Sequence, residues 1–116
     1  MNTLKEKITE LNQLVLSGKS LEAFEKFYHD DVIMQETDDH PTIGKAANLE
    51  REKQFYGNVI EFRSAEVKGV TVGDSITSVV WSYDYSHKEW GVKKYTQLSV
   101  QRWKDGKIIK EQFFYN

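Results

Sequence analysis

Residues 92–115 read VKKYTQLSVQRWKDGKIIKEQFFY, and this stretch decides the fold. Val92 to Trp103 alternates polar and apolar residues at the two-residue period of a half-buried strand. Lys104-Asp105-Gly106-Lys107 carries the Asp-Gly signature of a tight hairpin, and Ile108 to Tyr115 forms the returning strand. Upstream, Ser75 to Ser86 alternates in the same way, with Val79, Trp81, Tyr83 and Tyr85 on one face. Gly73-Asp74 turns the chain back from a further strand, Val59 to Val72, expected to bulge near Ser64. A long meander of aromatic-rich strands twists and curves. Its concave face needs a cover.

The first half of the chain supplies that cover. Leu4, Ile8, Leu11 and Val15 recur at helical spacing and predict a helix from about Asn2 to Ser17. Thr3 and Glu6 have the capping-box spacing, and Gly18 is a natural stop. Ser20 is placed to cap a second helix, with Leu21, Phe24 and Phe27 on one face. A short strand, Val32 to Thr37, follows, then a loop over residues 38 to 44. Thr42 or Gly44 opens a third helix reaching about Tyr56, its modest apolar side drawn from Ala46, Ala47, Leu49 and Phe55. Helices first and strands second read as α+β. The expectation is a cone-shaped, curved antiparallel sheet of about five to six strands around three helices, with a central pocket. A two-layer sandwich without a cavity fits the same pattern.

The totals narrow the function classes. With 116 residues the chain has the size of one domain, residues 1–116, and its 39 % apolar residues suffice for a core or a lined cavity. Sixteen basic residues against eighteen acidic ones leave a net charge of -2, so no field favours nucleic acid or an anionic membrane. No cysteine is present, which removes disulfide and thiolate chemistry. No apolar run is long enough to span a bilayer, and Met1 to Glu10 lacks the apolar stretch of a signal peptide. A cytoplasmic location is the expectation.

The punctuation then becomes recognisable. Phe27-Tyr28-His29-Asp30-Asp31-Val32 at a helix-to-strand junction, Gly44 at the opening of a third helix, and Arg102 to Ile108 leading to Glu111-Gln112-Phe113-Phe114-Tyr115 together resemble the SnoaL-like domains of the nuclear-transport-factor-like superfamily. The resemblance covers essentially the whole chain. It implies an α+β cone with a deep pocket, a homodimer formed through the sheet, and one of many activities, from ketosteroid isomerase and polyketide cyclase to silent binding domains. It also places Glu36 where the isomerase keeps its general base. The isomerase's oxyanion tyrosine and acid fall near Leu11 and at Ser99, which cannot replace them. The cyclases' acid–base aspartate falls at Asn116, which cannot transfer protons near neutral pH.

Glu36 is therefore the first catalytic candidate, with His40 as an acid–base partner at the pocket mouth. Glu111 shares a face with Ile109, Phe113 and Tyr115. In the cavity it would need a partner, and on the convex face it would be wet. Tyr95, Gln97, Ser99, Gln101 and Trp103 share another face, and the first three offer hydrogen bonds to a carbonyl or hydroxyl. Trp81 and Tyr83, if they are pocket wall and not sheet packing, favour a flat ligand. Phe113 and Asn116 complete the ligand-binding candidates. Trp90 and His87 belong to a turn and are expected to be exposed. No metal-ligand spacing is present, and no cofactor is expected. The expectation is a small-molecule pocket protein, with a cofactor-independent isomerase, cyclase or dehydratase and a non-catalytic dimeric module as alternatives. Leu98, Val100 and Phe114 are the apolar residues of the proposed dimer face.

Overall fold

The computed structural model describes residues 3–115. Three helices precede most of a six-stranded sheet: α1 (Leu4–Leu16), α2 (Ser20–Phe27), β1 (Tyr28–Glu36), β2 (Thr42–Ile43), α3 (Lys45–Gly57), β3 (Val59–Val72), β4 (Ile76–His87), β5 (Gly91–Lys104) and β6 (Lys107–Tyr115). The sheet order is β2-β1-β6-β5-β4-β3. It is antiparallel, as expected, in every pairing but one. β6 runs antiparallel to β5 but parallel to β1, with Met34 opposite Glu111 and Glu36 opposite Phe113. The short strand β2, expected as loop, pairs antiparallel to β1.

Local chemistry sets the element ends. Thr3 and Glu6 form the reciprocal capping box, the Thr3 hydroxyl accepting from the Glu6 amide at 3.2 Å and the Glu6 carboxylate accepting from the Thr3 amide at 3.0 Å. Ser20 is the first residue of α2 and makes no cap; Lys19 precedes it without a side-chain bond. At the hairpin Asp105 and Gly106 both take positive φ, 54° and 79°, as a type I′ turn requires. Three register shifts break the β3–β4 ladder, one of them between Phe62 and Ser64, and these let a 14-residue strand bend.

Asn48 anchors the third helix. It is buried, and its Nδ2 donates to the carbonyls of Val32, Thr42 and Gly44 at 3.3, 3.0 and 2.8 Å. One amide thus ties α3 to β1 and β2. Leu49 packs on the core and Phe55 lines the cavity as expected, but Ala46 and Ala47 face solvent, and Asn48 and Glu52 complete the inward side of α3.

Helices α1 and α2 close one end of the concave face. Ile8, Leu11, Phe24, Phe27, Tyr28 and Val32 pack there on Val79, Trp81, Trp103 and Ile108. Phe24 stacks on Tyr28, and Phe27 meets Trp103 edge-on. A further shift, between Arg102 and Trp103 on β5, pairs Trp103 with Ile108 and Arg102 with Lys110. Ile109 is the extra residue. Ile108, not Ile109, therefore joins Glu111 on the concave side.

Candidate functional site

Within that closed end, polar side chains satisfy one another. Trp103 Nε1 donates to Thr77 Oγ1 at 2.8 Å, Thr77 donates to Gln101 Oε1 at 2.7 Å, and Gln101 Nε2 donates to Glu111 Oε2 at 2.8 Å. Tyr28 donates its hydroxyl to the other Glu111 oxygen. Glu111 is buried, so desolvation raises its pKa to about 7, against the two hydrogen bonds that pull it down. Ser99 is buried as well, its hydroxyl accepting from Gln97 at 3.1 Å. Trp81 belongs to the core cluster. Of the proposed ligand contacts, Trp81, Ser99 and Glu111 thus lie in the closed end and do not line the cavity.

The other end is open. A cavity of about 1230 Å³ lies between the sheet, α3 and the α1–α2 corner. Its floor comes from Tyr83, Tyr85 and His87 on β4, Tyr95 and Gln97 on β5, and Phe113 and Tyr115 on β6. Met34 and Glu36 enter from β1, and Arg51, Glu52, Phe55 and Tyr56 from α3. Tyr83, Tyr95, Gln97 and Phe113 are therefore brought together as expected contacts. The rings form one contiguous cluster around Tyr95, whose centroid lies 5.9 Å from those of Tyr83 and Tyr85 and 5.7 Å from that of Tyr115, with interplanar angles of 56°, 77° and 41°. The Tyr85 and Tyr95 hydroxyls share a hydrogen bond of 2.8 Å. Phe55 meets Tyr85 edge-on, and Phe62 lies parallel to it.

His87 was expected to be exposed but is buried; Trp90 stacks over its ring at 3.7 Å and is itself 52 % exposed. His40 sits in an exposed turn and is not among the residues lining the cavity. Asn116 lies outside the described residues. Among the described residues no three His, Asp or Glu side chains cluster as metal ligands.

Glu36 lies at the cavity rim. Its carboxylate is 44 % exposed and 3.6 Å from the Arg51 guanidinium. The following residue, Thr37, takes φ +50°, a left-handed conformation costly for a β-branched residue. Two bonds hold it there: the Thr37 amide donates to the Phe113 carbonyl, and Gln112 Nε2 donates to the Thr37 carbonyl, each at 2.6 Å. Strand β6 thereby fixes the position of Glu36.

The carboxylate that sequence reasoning missed is Glu52. It lies deeper on α3, one helical turn after Asn48, and faces the cavity. Burial, then the charge of Glu111, raises its pKa to about 7, and Arg51 opposes the shift. Among the described residues no group hydrogen-bonds to it. The phenols around it are also pushed up, first by burial and then by neighbouring groups: Tyr56 to about 12, and Tyr83, Tyr85, Tyr95 and Tyr115 above their ordinary value. All five keep their protons at neutral pH and can donate hydrogen bonds.

Residues 2–115 match the family described as the SnoaL-like domain. Solved structures of similar shape include a candidate SnoaL-like polyketide cyclase from Mesorhizobium loti, with TM-score 0.89 and 24 % identity over 98 % of this chain and 100 % of that one. A second candidate SnoaL-like polyketide cyclase, from Jannaschia, has TM-score 0.79 and 9 % identity over 95 % and 85 %. An NTF2-like protein of unknown function from Burkholderia pseudomallei has TM-score 0.83 and 10 % identity over 100 % and 92 %. At such identities the likeness concerns the fold alone. No curated protein matches the chain.

Proposed function

The chain belongs to the SnoaL-like domain family, and from that premise we propose that it holds a small, flat, largely apolar organic molecule in the tyrosine-lined cavity. The cavity itself carries the reading. It is large, it opens to solvent, and its floor is aromatic with hydroxyls at the ring edges. A flat ring system would lie along Tyr83, Tyr95 and Tyr115, while protonated phenols and Gln97 address its oxygen or nitrogen atoms. A thermal-shift screen against cyclic ketones, phenols, steroids and polycyclic aromatics tests this. A ligand at about 100 times its dissociation constant adds roughly 2.7 kcal/mol to stability. Stabilisation of the protein but not of a Tyr95→Ala variant supports the reading; a panel without effect overturns it for these classes.

A second reading is a cofactor-independent isomerase, cyclase or dehydratase. It draws on Glu36 facing the same cavity as neutral phenols, since a carboxylate can take a proton while phenols hold a developing oxyanion. Turnover of the stabilising ligand that is lost in Glu36→Gln would support it. Unchanged ligand would leave a carrier or sensor.

The dimer belongs to the same proposal. Val80, Leu98, Val100 and Phe114 lie on the convex face of β4, β5 and β6, where Leu98 and Phe114 are exposed. Light scattering at micromolar concentration should give twice the chain mass, and Leu98→Lys should restore the monomer.

A further inference from the structure

Among the described residues, no hydrogen bond or ion pair meets the Glu52 carboxylate on the cavity wall. Arg51 lies next to Glu52 in sequence, but its guanidinium sits 3.6 Å from the Glu36 carboxylate and donates to Thr42 Oγ1 at 2.8 Å. It is directed at the rim. Lys19 and Lys93 also line the cavity, and neither ion-pairs with Glu52. From β6 the nearest charge is Glu111, of the same sign; from β1 it is Glu36, again of the same sign; from β4 and from α3 itself come the neutral phenols of Tyr83 and Tyr56. The carboxylates that act on Glu52 from β6 and β1 therefore share its sign, and Arg51 offsets them only in part. Aromatic ring faces, which are also electron-rich, line the same cavity.

We infer that Glu52 is the counter-charge for a protonated amine, and that the ligand of this cavity is an aromatic or polycyclic amine whose ammonium group rests between the Glu52 carboxylate and the tyrosine rings. This rests on the pocket reading above and names the ligand class for it. Three observations converge on it. Glu52 is half-buried, lines the cavity and lacks a hydrogen-bond partner among the described residues. A partly desolvated carboxylate left so gains from a cation that enters the cavity. Tyr56, Tyr83 and Tyr95 offer the ring faces and phenol oxygens that stabilise a desolvated cation. The apolar floor beyond them takes the ring system. With Glu52 so occupied, Glu36, beside Arg51 at the rim, remains the carboxylate for any proton transfer.

Protonation supplies a signature. Glu52 titrates near pH 7, whereas an alkylamine remains charged to about pH 10. The cation selects the ionised carboxylate, so binding below pH 7 expels a proton from the protein and strengthens as pH rises toward 8. A neutral ligand has no such dependence.

Isothermal titration calorimetry with tryptamine and its neutral isostere tryptophol, at pH 6 and pH 8 in two buffers of different ionisation enthalpy, tests the inference. At pH 8 tryptamine should bind roughly tenfold more tightly than tryptophol. At pH 6 the advantage should shrink and the measured heat should depend on the buffer, reporting proton release. Glu52→Gln should bring the two ligands within about twofold of each other, while Glu66→Gln, the same change on the exposed edge strand, should leave the preference intact. Equal binding of both ligands, or a preference that survives Glu52→Gln, overturns the inference and leaves the pocket reading standing. Failure of both ligands to bind at either pH counts against the pocket reading itself. If Glu52→Gln does not fold, the pH dependence and the proton release of the unaltered protein decide.

Discussion

Strands β4, β5 and β6 run through both ends of the concave face, and the two ends treat the same side-chain pattern differently. At the closed end Thr77, Gln101, Glu111 and Trp103 bond to each other beneath α1 and α2. At the open end Tyr83, Tyr85, Tyr95 and Tyr115 present rings and hydroxyls to a cavity. Each end holds one carboxyl whose pKa is pushed up to about 7, Glu111 fully buried and Glu52 half-buried on the cavity wall. Glu111 has two donors, and Glu52 has none among the described residues. Burial is the largest cause in both, with the charge of Glu111 adding to it at Glu52 and two hydrogen bonds opposing it at Glu111, and partners decide whether the group is a structural fixture or is left available to a ligand.

Removing the closed-end carboxylate is the severest way to break this contrast. Glu111→Ala strands the Tyr28 hydroxyl and the Gln101 amide in a dry core and should cost about 3–5 kcal/mol by urea denaturation. The matching change at the open end should have the opposite sign. Glu52→Gln removes a charge that burial disfavours and should raise stability at pH 8 by about 1–2 kcal/mol. The pH dependence sharpens the pair further. Both carboxyls hold protons more tightly folded than unfolded, so their contribution is full below about pH 4.5 and is lost as pH rises to 7. Melting temperatures measured across that window should fall more steeply in the unaltered protein than in Glu52→Gln. Tyr95→Phe deletes one hydrogen bond at the open end and should cost about 1 kcal/mol or less. Glu36→Gln, at the exposed rim, should change stability by no more than about 0.5 kcal/mol.

Local chemistry was legible in the sequence. Thr3 and Glu6 announce their capping box, Asp105-Gly106 its turn, and the alternation in β4 and β5 identifies which residues share a face. What alternation cannot say is how far along a strand the covering helices reach. Trp81 and Tyr83 are two residues apart on one face, yet Trp81 belongs to the core and Tyr83 lines the cavity. Ser99 and Gln97 divide in the same way. Glu52 escaped because an apolar stripe was sought on α3, whereas Asn48 and Glu52 give its inward side a polar sequence. The parallel pairing of β1 with β6 has no local signal, because periodicity does not name a partner. His87 was read from its turn, but the stacked Trp90 covers it.

That parallel pairing sets an order of events during synthesis. β1 is complete at Glu36, but its neighbour in the sheet begins at Lys107. Until that segment has left the ribosome, β1, β2 and the clamp of Asn48 have only the helices to lean on, and the meander of β3, β4 and β5 stands with one edge bare. Contacts between such distant segments form slowly because a long loop must close first. The insertion of β6 between β1 and β5 is thus the step that joins the two parts of the sheet, fixes Glu36 through Thr37, and turns a half-built cone into a vessel.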